Sequence, residues 1–118
     1  MPGFFPLFTD NHIREPLVDG LRRRGWDVVR SVDVFGEGEE DDVLFAWAAE
    51  HGRVFLTNDK GIHRLARDWV RGGRPFRVIF WKQLHNQRMS VGGFIEKLES
   101  MAREEEPFPY PIRYITPD

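Results

Sequence analysis

Short apolar runs alternate with longer stretches of helical period along this chain, and that alternation restricts the folds open to it. The runs are Phe4 to Thr9, a segment around V-V-R-S-V within Trp26 to Val34, V-F-L-T at 54–57 and V-I-F-W at 78–81. Between the first two, Ile13, Leu17, Val18 and Leu21 recur at helical spacing, with Pro16 tolerable only in a first turn and Gly25 as a stop. A second helix carries Val43, Leu44, Trp47 and Ala48 and ends at Gly52, and a third runs from about Gly61 to Val70. Ser90 suits the cap of a last helix with Val91, Phe94, Ile95, Leu98, Met101 and Ala102 on one face. Pro6 marks the first run as irregular or at an edge. With no hairpin signal between the runs, the pattern predicts an α/β fold, a parallel sheet sandwiched by helices.

The chain has 118 residues, the size of one domain with a real core. At 41% apolar and 31% charged residues it is globular, and its net charge of −2 means that nucleic-acid binding would need a local basic stripe. The absence of cysteine excludes disulfides, thiolate zinc sites and cysteine nucleophiles. The N-terminus lacks a basic region ahead of a long apolar core, and no run approaches the ~18 apolar residues of a membrane span. The expectation is a soluble, cytoplasmic protein with no membrane association. After Glu104 to Glu106 the Pro-rich end, P-F-P-Y-P-I-R-Y-I-T-P, reads as an extended arm or an edge strand suited to a partner contact.

In parallel sheets the functional crevice lies beyond the carboxyl ends of the strands. Asp10 follows the first strand and Asp59 the third. Glu40, Val43, Leu44 and Trp47 stand at i, i+3, i+4 and i+7, so Glu40 is expected to continue the buried stripe, with Asp41 and Asp42 turned away. Any one Asp at a strand-to-helix junction is more often a helix cap than a ligand. Three acids at one edge shift that balance: each pair at ~4 Å costs a few kcal/mol at an effective dielectric near ~20, so the group binds protons or a cation. Oxygen-only donors suit Mg²⁺ or Mn²⁺.

The segments F-T-D-N-H-I, P-L-V-D-G-L-R-R-R-G-W-D-V-V and E-E-D-D-V-L-F-A-W-A-A-E-H-G-R-V-F-L-T-N-D-K carry a resemblance to the PIN-like ribonucleases, over about residues 4 to 81. The resemblance implies a three-layer α/β/α fold, a divalent-metal acidic site and RNA cleavage, often as the toxin of a toxin–antitoxin pair. It implies Asp10, Glu40 and Asp59 as metal ligands and catalytic acids, with Asn11, Asn58 and Thr57 as polar supports. Gly61 departs from the pattern, since close relatives place a further acid there; Asp68 lies too far along the helix to replace it. A small antitoxin and a homodimer are the protein partners implied, the latter through the Phe94/Leu98/Met101 helix or the tail.

Lys60, Arg64, Arg67 and Arg71 form one stripe of the third helix, opposite Ile62, Leu65, Ala66 and Trp69, and suit either a phosphate backbone or a solvated face. His12, Lys82, Gln83, His85 and Asn86 are further candidate substrate contacts by position. Arg22, Arg23 and Arg24 complement the end of the first helix, and Trp26, Trp47, Trp69 and Trp81 read as core. Two other classes compete. A phosphoacceptor receiver requires an acidic pair after the first strand, where this chain has Asp10 and Asn11, and a lysine later than Lys82. A binding module that keeps the fold would have Gly61 as the mark of a decayed site.

Overall fold

The computed structural model describes residues 4–81 and 89–116. Five strands, β1 (Leu7–Thr9), β2 (Val28–Arg30), β3 (Val54–Thr57), β4 (Val78–Trp81) and β5 (Ile112–Ile115), form one sheet in the order β2-β1-β3-β4-β5. Every pairing is parallel, with Leu7 opposite both Val28 and Val54, and Phe55 opposite Val78. The helices are α1 (Glu15–Arg23), α2 (Ser31–Phe35), α3 (Asp41–Glu50), α4 (Gly61–Arg71) and α5 (Val91–Ala102).

Alternation along each strand sends side chains to two cores. Leu7, Val28, Val54, Leu56, Ile79 and Trp81 pack with Leu17 and Leu21 of α1 and Phe94, Ile95 and Leu98 of α5. Phe8, Phe55, Val78 and Phe80 pack on the other face with Leu44, Phe45 and Ala48 of α3 and Ile62, Ala66 and Trp69 of α4. This is the three-layer α/β/α arrangement, with strands buried on both faces as parallel sheets require. Gly20 lies at the close approach of α1 and α5, where a Cβ would come within 2.9 Å of the Ile95 Cδ1 methyl and push it aside. The Ser90 hydroxyl caps α5 by accepting the Gly93 N–H at 2.9 Å.

Three expectations change and one is met. Pro6 does not put the first strand at an edge: β1 is central, and Pro6 lies just before it, its carbonyl accepting the Val54 N–H at 2.8 Å. The second strand ends at Arg30 instead of continuing through Ser31 and Val32, because β1, its neighbour in the sheet, ends opposite it at Thr9, and Ser31–Phe35 turns helical. The Pro-rich tail supplies β5, the edge strand that was one of the two forms expected of it. Phe94, Leu98 and Met101 are buried within the chain's own core, so they are not a surface for a second copy. Trp26, Trp69 and Trp81 are buried as expected, whereas Trp47 is half-buried and packs against Phe8 and His51. Two of the arginines that end α1 make structural contacts: Arg22, in its last turn, donates to the Val28 carbonyl, and Arg24, its C-cap, pairs at 2.6 Å with the buried Glu99.

Candidate active site

The chain passes from β1 to β2 in one direction across the sheet, then returns beyond β1 to lay down β3. Right-handed crossovers therefore place α1 and α3 on opposite faces, and the switch point, where parallel sheets carry their functional crevice, falls beyond the carboxyl ends of β1 and β3. Asp10 and Asp59 stand at those two ends.

Asp10 is 8% exposed. Its Oδ1 accepts the His12 backbone N–H at 2.9 Å, and its Oδ2 accepts the hydroxyl hydrogen of the fully buried Thr57. Thr57 Oγ1 in turn accepts the Asp59 backbone N–H at 3.0 Å, so one hydroxyl ties the two strand ends together. Burial pushes the Asp10 carboxyl above its ordinary value, and the Asp59 charge adds to this. The Thr57 and His12 hydrogen bonds and the nearby His12 charge oppose it. Asp59 is half-buried, and its Oδ1 accepts the Gly61 N–H at 2.8 Å, so it closes the first turn of α4.

The third carboxylate is Asp41. Glu40, expected to face the crevice, is the exposed N-cap residue of α3, and Val43 of its expected stripe is 39% exposed. The stripe that is buried runs through Leu44, Phe45 and Ala48 and is continued one turn back by half-buried Asp41. Asp41 is therefore not turned away. Burial raises its carboxyl most, followed by the Asp59 charge, a carboxyl–carboxyl hydrogen bond with Asp59 and the Asp10 charge. The signal in the sequence was Phe45, whose ring has more area to bury than Val43 and so sets the helix rotation.

Gly61 lies between these acids. A Cβ built on it would be 3.3 Å from Asp59 Oδ1 and 3.4 Å from Asp41 Oδ2, tight against both. Asp68 is exposed and pairs with Arg71 at 3.4 Å, away from the crevice. By donor chemistry, three mutually repelling carboxylates fit a hard divalent cation. Their spacing does not close around one as they stand: among the described residues, no three of His, Asp and Glu form a group that could hold a metal ion.

Of the other expected residues, Asn58 is half-buried beside Asp59, and Asn11 and His12 are exposed at the turn after Asp10. Lys60, Arg64, Arg67 and Arg71 are all exposed along α4, while Ile62, Ala66 and Trp69 are buried opposite them. Lys82, Gln83, His85 and Asn86 lie outside the described residues. Sequence reasoning missed Ser31, whose buried hydroxyl donates to Asn11 Oδ1 at 2.8 Å. No helix among the described residues is long and apolar enough to cross a membrane.

Comparison with known proteins agrees with this architecture. A search of curated proteins and a search of solved structures each gave no match. A family model described as "PIN like domain" matches residues 6–70, which hold β1 through nearly all of α4 and all three crevice acids. The chain belongs to the PIN-like domain family.

Proposed function

We propose that this protein is a divalent-metal-dependent endoribonuclease, with Asp10, Asp41 and Asp59 as its acidic centre. The observation that carries the reading is the convergence of those carboxylates at the strand-order switch point: Thr57 bonds both Asp10 and the Asp59 backbone, and Asp59 and Asp41 both lie within 3.4 Å of where a Gly61 Cβ would stand. Bound there, Mg²⁺ or Mn²⁺ would supply the charge that stabilises a phosphodiester under attack and acidifies a water. The chain's own part is positional. Thr57 and the His12 amide hold Asp10, the Gly61 amide holds Asp59, and α3 brings in Asp41. The exposed stripe from Lys60 to Arg71 begins beside Asp59 and would attract the phosphate backbone of RNA.

The test is cleavage of single-stranded RNA in Mn²⁺. Cleavage that vanishes in Asp10→Asn and Asp59→Asn supports the reading; metal binding with no cleavage of any single-stranded RNA sinks it. The same reading extends to the toxin of a toxin–antitoxin pair acting in the cytoplasm. Growth arrest on induced expression, relieved by a small protein encoded alongside, would support that role, and unimpaired growth would remove it.

A second reading is a non-catalytic RNA- or protein-binding module on the same fold. It is favoured by the open spacing of the acids among the described residues and by Gly61 in place of a further acid. RNA binding unchanged by EDTA, without cleavage in Mn²⁺, would select it.

A further inference from the structure

Asn11 and Ser31 come from different strand ends but meet at one level of the sheet. The residues just before them, Thr9–Asp10 and Arg30, are brought together by the register that sets Thr9 opposite Arg30. Ser31 opens α2 and is 1% exposed, and its Oγ donates to Asn11 Oδ1 at 2.8 Å. Asn11 itself is exposed, at the corner of a turn closed by the Ile13 N–H on the Asp10 carbonyl at 3.2 Å. An exposed amide is satisfied by water and needs no such tether for folding. The tether fixes its orientation: with Oδ1 occupied, the two N–H groups of Nδ2 remain, and among the described residues nothing accepts them.

We propose that Ser31 is a positioning residue for RNA, holding Asn11 so that its Nδ2 donates to a non-bridging phosphate oxygen of the bound strand. This rests on the reading of the crevice as an RNA site. Three carboxylates repel an approaching phosphate, and a fixed neutral donor next to Asp10 offsets that repulsion without a charge to desolvate. Asn11 on the β1 side and Lys60 on the β3 side then flank the acids, so the strand is held from both directions.

The experiment compares wild type, Ser31→Ala, Asn11→Ala and the double variant. Binding of a fluorescent single-stranded RNA is measured by anisotropy in Ca²⁺, cleavage by single-turnover assay in Mn²⁺, and folding by thermal melting. Each single substitution is expected to weaken Kd about tenfold, the size of one lost hydrogen bond to a charged group. The double variant should be no weaker than either single, and the cleavage step at saturating protein should change less than twofold. Unchanged Kd in Ser31→Ala, or effects that multiply in the double variant, would overturn the proposal. RNA that binds with this pattern but is not cleaved would remove the nuclease reading and leave the Ser31–Asn11 assignment standing. No RNA binding by wild type would overturn both.

Discussion

Thr57 donates its hydroxyl hydrogen to Asp10 across the boundary between β3 and β1, and through the same oxygen it accepts the Asp59 backbone N–H. A residue with no exposed surface thus sets the relative position of the two acids that end those strands. Thr57→Val keeps the shape but removes both bonds. It should cost about 1–3 kcal/mol of stability, the range for stranding buried polar partners, measurable by urea unfolding. It should also raise the Asp10 carboxyl further, since the Thr57 bond now holds it down. The acidic limb of any cleavage–pH profile should then move to higher pH.

Asp41 and Glu40 are adjacent, and only one faces the other acids. Asp41→Asn is expected to lower Mn²⁺-dependent RNA cleavage about 100-fold or more, as loss of a group acting on transition-state charge does. Glu40→Gln should stay within about twofold of wild type. Equal losses in the two variants would contradict the rotation of α3 seen here.

The same Asp41→Asn variant makes a prediction about pH. Burial and the neighbouring Asp59 raise the folded-state carboxyl above its ordinary value, so the folded protein holds that proton more tightly than the unfolded chain does. Its contribution to stability is complete below the ordinary carboxylate range and is lost as pH rises through the raised value. In metal-free buffer near pH 7, Asp41→Asn should therefore melt about 2–4 °C higher than wild type. That gain should disappear on acidification below pH ~3.8.

Millimolar Mn²⁺ is expected to raise the melting temperature of wild type, by an amount equivalent to about 2.7 kcal/mol when the ion stands at 100 times its Kd. EDTA should reverse the gain, and Asp59→Asn should not show it. Gly61→Asp adds a carboxylate where a Cβ already meets Asp59 and Asp41 at 3.3 and 3.4 Å. It should melt below wild type in EDTA and recover more in Mn²⁺ than wild type gains. Gly61→Ala separates the steric cost from the charge, and recovery of that variant by Mn²⁺ to the same extent would refute the electrostatic account.

Along α4 the cations are exposed and the apolar residues opposite them are buried. Arg64→Gln and Arg67→Gln should leave melting unchanged. If each arginine contacts one phosphate, each substitution should reduce the slope of log Kd against log salt by about 0.7 for single-stranded RNA. A slope equal to that of wild type would make the stripe an ordinary solvated face.

The pattern of apolar residues by itself determined the order of β1 to β4 and of α1, α3, α4 and α5, and the parallel sheet, because periodicity is a local property that each segment carries whatever surrounds it; it did not show α2 and left β5 open. It also located Asp10 and Asp59, since a residue that ends a buried strand has its place along the chain fixed by the strand. Rotation and neighbours are different. Whether Glu40 or Asp41 faces the crevice depends on which of Val43 and Phe45 the sheet buries, and the fit of Phe45 against Phe55, Trp69 and Phe76 settled that. The end of β2 at Arg30, the central place of β1 after Pro6 and the meeting of Ser31 with Asn11 were likewise decided by strand order. Pairing between segments distant in sequence has no local signature, so only the tertiary structure brings those side chains into one site.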